Sequence, residues 1–161
     1  MSALPSQSRY IIGTEACERF SFYGMKSILM LYMTGHLLMS DNWATSTLHI
    51  FVGMVYLLPL AGAWLADKVW GRYKTILYIS LLYCVGHGVL ATADLFHTIE
   101  ARRYILMAGL FIIALGAGGI KPCVSAFMGD QIPNKSPQLM TKAFNAFYWA
   151  INLGSFFSFL V

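Results

Sequence analysis

Glu15, Glu18, Arg19 and Lys26 fall inside a stretch that is otherwise mostly apolar, from about Ile11 to Met39. Positions 15, 18, 19, 22 and 26 repeat at i, i+3, i+4, i+7 and i+11, the spacing of one helical face. Lys26 stands 11 residues beyond Glu15, roughly 16 Å along a helix axis. Two carboxylates among cations form a set that can exchange a proton. Burial disfavours an ionised carboxylate and a nearby Arg or Lys favours it, so the balance can place protonation near physiological pH. The bland reading is a capping and snorkelling cluster at a helix end, which Glu15 and Arg19 allow and Lys26 resists.

A second charge occurs in Gly116-Ala117-Gly118-Gly119-Ile120-Lys121-Pro122. This is no phosphate loop, because Ser or Thr does not follow the lysine and apolar residues lie on both sides. Glycines in a membrane helix let a neighbouring backbone approach closely, and Pro122 removes an amide donor and favours a kink. Lys121 is then an ammonium at depth that needs a carboxylate, and Glu15 or Glu18 is the available partner; snorkelling to an aqueous face is the alternative. His49 and Tyr56 are seven apart and share a face, as do Asn145 and Asn152. His87 reads as a satisfied structural histidine. No Ser–His–Asp set and no metal-ligand spacing occurs, so neither an enzyme nor a metal site is expected. Cys17, Cys84 and Cys123 sit far apart in apolar stretches and read as small buried hydrophobes.

The elements that must position these residues follow from composition. Of 161 residues, 58% are hydrophobic, against roughly 45–50% in soluble domains. Only 11% are charged, less than half the usual share of about 25%, and mean hydropathy is +0.62. A water-facing surface cannot be built from so little charge. That excludes a soluble enzyme, a disordered tail and a nucleic-acid binder. The formal net charge of +4 belongs to loops rather than to a nucleic-acid face.

About 20 apolar residues cross the hydrocarbon as a helix. Five runs come near this: about 11–39, 48–65, 75–95, 104–127 and 142–161. The expected fold class is all-α and integral to the bilayer, since only helices and closed barrels span it and unbroken apolar runs select helices. The fifth run is still apolar at Val161, which predicts further membrane protein beyond it. With a cytoplasmic N-terminus, inside segments carry Arg9, Lys68, Arg72, Lys74, Lys135 and Lys142, and outside loops carry Arg102 and Arg103. Six against two favours that orientation. The Asp41–Thr47 segment then becomes an outside loop.

These residues resemble a known family. Glu15-Ala16-Cys17-Glu18-Arg19-Phe20 fits the E-x-x-E-R-F signature of the proton-dependent oligopeptide transporters. Gly116 to Pro122, with Ala126-Phe127 and Gly129-Asp130-Gln131, is similar to their second signature. Gly62 to Asp67, Gly71-Arg72 and Lys74 resemble the loop motif of the wider major facilitator superfamily. Together with Phe144–Asn152 these motifs cover nearly the whole chain.

The resemblance implies two six-helix bundles around a central cavity, each made of inverted three-helix repeats. This chain would be the N-terminal part, about five helices, with the C-terminal bundle beyond it. It implies import of di- and tripeptides with protons, the proton being the coupling ion and no cofactor being needed. Glu15, Glu18, Arg19 and Lys121 correspond to the coupling set. Arg19, Tyr23, Lys26, Tyr56, Lys121 and Asn152 correspond to positions that contact peptide, and His49 to a histidine of helix two that can be proton-linked. Phe22 replaces the first tyrosine of a usual Tyr-Tyr pair. Lys26 stands where many members carry arginine, without the bidentate fork that arginine offers a carboxylate. Some relatives carry nitrate or other small anions, so an anion symporter is the second reading; a membrane peptide receptor that binds without transporting is the third. Short termini and tight loops point to a bacterial inner membrane.

Overall fold

A computed structural model describes residues 4–160; Val161, the end of the fifth apolar run, and the Lys135 side chain lie outside the described residues. Five long helices account for most of the chain: α1 Ser6–Leu31, α2 Asp41–Leu65, α3 Arg72–Ala91, α4 Ile99–Asp130 and α5 Pro137–Ser158. No strand occurs among the described residues. A π-helical turn, Tyr32–His36, extends α1, and another, Ala66–Trp70, extends α2. Short 3₁₀ turns follow α3 and α4 at Ala93–Leu95 and Pro133–Lys135.

Each of the five helices begins before the apolar run it contains; α1, α3 and α5 end before their runs do, and α4 extends past its run. The largest correction concerns Asp41–Thr47, expected as a loop and found as the opening turns of α2. Ser40 caps the helix by accepting a hydrogen bond from the Trp43 amide, and Asp41 supplies a carboxylate in the first turn. Both features stabilise a helix N-terminus without any apolar periodicity. Pro137 likewise starts α5 at a position where its missing amide costs nothing. Pro59 and Pro122 lie inside α2 and α4.

Among the described residues, three segments are long and apolar enough to cross a membrane: Asp41–Trp70, Arg72–Leu95 and Ile99–Asp130. At 26 and 22 residues, α1 and α5 have sufficient length. In α1, Arg9, Glu15, Glu18, Arg19 and Lys26 dilute the hydropathy.

The residues pack as two compact units. One takes the chain up to Ile28 and from Val124 onward; the other is Leu29–Cys123. In the second, α4 is clasped by α2 and α3 at its glycines. A Cβ on Gly62 would lie 2.6 Å from the Gly119 Cα, and one on Gly116 would lie 2.7 Å from the Tyr83 Cα. The glycine run therefore brings backbones together, as its composition implies. Leu106, Leu110, Ile113, Ala114 and Ala117 are buried along the same helix.

At the other end of this unit, Leu38 takes a left-handed conformation, φ 49°. Arg103 answers the carbonyls there, donating to Leu37 O at 2.7 and 3.0 Å and to Leu38 O at 2.8 Å. Its guanidinium also lies 5.0 Å from the Trp43 ring centroid. The Tyr32 hydroxyl donates to Asp94 at 2.9 Å. These contacts fasten the end of the first helix to the segments around α3 and α4.

Candidate functional site

The spacing that put Glu15, Glu18 and Arg19 on one face of α1 brings their charges together. Arg19 Nε lies 3.0 Å from Glu15 Oε1, and Arg19 Nη2 lies 2.5 Å from Glu18 Oε2. Glu15 is 5% exposed, Glu18 7% and Arg19 6%. One guanidinium thus serves two buried carboxylates. The three groups sum to one negative charge when both acids are ionised and to zero when one carries a proton. In a poorly solvated site such a change of one charge alters the electrostatics strongly.

Two neighbours shape this set. Phe22 is buried, with Arg19 Cζ 5.9 Å from its ring centroid, and its ring meets Tyr23 edge-on at 5.6 Å. The residue that departs from the usual tyrosine pair therefore packs on the arginine, while Tyr23 is half-buried. Gly154 of α5 is the second neighbour: a Cβ there would collide with the Ala16 carbonyl and come within 3.3 Å of Arg19 Cβ. This glycine lets α5 close against the Glu15–Arg19 turn. Sequence reasoning missed it, because one glycine in an aromatic-rich run carries no sign of which backbone it meets.

In the other unit, Lys121 Nζ lies 5.3 Å from the Tyr56 ring centroid. A cation over an aromatic face is held by the ring quadrupole. Tyr56 is 74% exposed, and His49 shares its face of α2 and is also exposed. Lys26 is half-buried on α1. Asn152 is exposed on α5, where its amide donates to the Tyr148 carbonyl of its own helix at 2.8 Å. Within the motif from Gly62 to Lys74, Gly71 has φ 76°, a turn that favours glycine. Among the described residues, no group of three or more His, Cys, Asp or Glu could hold a metal ion.

A family model described as the POT family matches residues 73–161. The chain belongs to this family. It is 47% identical over 156 residues to "Peptide transporter family 1" of Drosophila melanogaster, covering 96% of this chain and 21% of that protein. It is 43% identical over 162 residues to "Peptide transporter 3" of Caenorhabditis elegans, covering 100% of this chain and 23% of that protein. The crystal structure of the POT family transporter PepTSo superposes with a TM-score of 0.87 at 48% identity, covering 98% of this chain and 31% of that one. This POT-family chain therefore spans less than a third of the length of these relatives. The all-α fold matches the N-terminal half of a major facilitator transporter.

Proposed function

We propose that the chain is the N-terminal part of a proton-coupled symporter that imports di- and tripeptides by alternating access. The observation that carries this reading is the buried Glu15–Arg19–Glu18 set, whose net charge one proton abolishes. The names of its relatives as peptide transporters support the cargo.

All five helices cross the bilayer of the cell membrane, the inner membrane of a bacterium, with the N-terminus in the cytoplasm. Lys121 belongs to the same proton-coupling set. Proton arrival weakens the hold of the Glu15 and Glu18 carboxylates on Arg19, and Arg19 and Lys121 serve the peptide carboxylate. Lys26 adds positive charge for the same group. Tyr23, Tyr56 and Asn152 contact the peptide, and His49 is linked to the proton. The peptide's amino end reaches a C-terminal bundle. Protonation drives transport only if the proton binds the outward and inward states with different affinity. No organic cofactor takes part; the proton is the coupling ion.

The test uses the full-length protein in liposomes with an imposed pH gradient and labelled dialanine. Glu18→Gln and Lys121→Ala are expected to abolish accumulation against a gradient, while exchange of labelled for unlabelled peptide persists in Glu18→Gln. Full gradient-driven accumulation in either variant contradicts the coupling assignment.

A further inference from the structure

An apolar groove of about 310 Å³ runs between α2 and α3 over a floor of α4. Leu58, Ala61 and Trp64 form one wall, Ile79 and Leu82 the other, and Leu115 lies on the floor. From Leu58 to Trp70, the last groove residue beyond α2, the chain covers 13 residues, about 18 Å. That is close to half of the roughly 30 Å hydrocarbon thickness. The groove is therefore as long as one leaflet is deep.

The two ends of the groove differ. At the Leu58 end there are only apolar walls. At the Trp70 end the chain turns at Gly71, and Lys68, Arg72 and Lys74 surround that turn with Asp67 as the single anion, a net charge of +2 over residues 67–74. Lys68 and Lys74 are exposed. Lys74 stands one turn before Tyr78, whose ring meets the groove residue Trp70 edge-on at 5.5 Å. Trp64 and Trp70 are both exposed, as tryptophans at a membrane–water boundary are.

We propose that this groove is a site for an anionic phospholipid, one acyl chain lying between α2 and α3 and the phosphate held by Lys68 and Lys74. The charge decides the headgroup. Three cations against one carboxylate attract a net negative lipid and gain little from a zwitterionic one, whose ammonium they repel. A basic residue near an anionic lipid surface contributes about 1 kcal/mol, so two lysines give a preference of about 30-fold.

The full-length protein, purified in neutral detergent, is mixed with equimolar phosphatidylglycerol and phosphatidylcholine of identical chains, and bound lipid is counted by native mass spectrometry. Wild type is expected to retain phosphatidylglycerol with a preference of about 30-fold. The double variant Lys68→Gln, Lys74→Gln is expected to bring the two lipids to near parity. Ala61→Trp, which fills the groove from its exposed rim, is expected to release both lipids without lowering the melting temperature. Equal retention of the two lipids by wild type overturns the proposal. So does a preference that survives loss of both lysines, or bound lipid that ignores Ala61→Trp. Absence of any retained lipid also overturns it, since the groove is then filled by the rest of the protein.

Discussion

The two units bury their helices by opposite means. In Leu29–Cys123, helices meet through glycine: Gly62 against Gly119 and Gly116 against Tyr83. In the other unit, α1 buries two carboxylates and a guanidinium, and Gly154 of α5 closes over the same turn. The first kind of packing depends on shape and does not respond to pH. The second depends on charge and, in the proposed mechanism, changes when a proton arrives. The proposed symporter would use both kinds, a body that holds its form and a centre whose electrostatics can be reset.

The comparison is broken most severely at Arg19. Arg19→Ala leaves two buried carboxylates without their shared cation, and removing one partner from a buried pair costs roughly 3–5 kcal/mol. The full-length variant should lose folded protein at neutral pH and recover part of it at acid pH, read by fluorescence-detected chromatography across pH. The sign follows from the charge count: protons neutralise the acids that Arg19 otherwise serves. Gly116→Leu probes the other unit. Overpacking there should cost roughly 1–3 kcal/mol or more, seen as a lower melting temperature that is the same at pH 5 and pH 8. Ser40→Ala removes the α2 cap and should cost about 1 kcal/mol, again without pH dependence. The smallest effect is expected at Tyr56, where Tyr56→Leu removes the ring beneath Lys121 and costs about 0.5–1 kcal/mol for an exposed site. Tyr56→Phe keeps the ring and should be near neutral in the same thermal assay.

Five helices were legible because apolar runs mark the part of a helix that meets hydrocarbon. Their ends were not, because polar flanks such as Asp41–Thr47 are held by a cap rather than by periodicity. The Glu15–Arg19–Glu18 cluster was legible because i+3 and i+4 neighbours on one helix meet whatever the rest of the fold does. Contacts between helices are another matter. Lys121 over Tyr56 and Gly154 against Ala16 join residues far apart in sequence, and spacing alone carries no record of such pairs. Phe22 shows the same limit. As a letter it is a tyrosine without its hydroxyl, and only the packed structure shows the ring lying against Arg19.

The central claim is that one proton resides on the Glu15/Glu18 pair in one state of the proposed symporter and leaves it in another. Infrared difference spectroscopy on the full-length protein, stepped from acid to neutral pH, observes the carbonyl stretch of a protonated carboxyl directly. The account predicts a band that disappears with rising pH and is absent or shifted in both Glu15→Gln and Glu18→Gln. A band that persists unchanged in both variants, or a wild-type protein with no titrating carboxyl in that range, contradicts it.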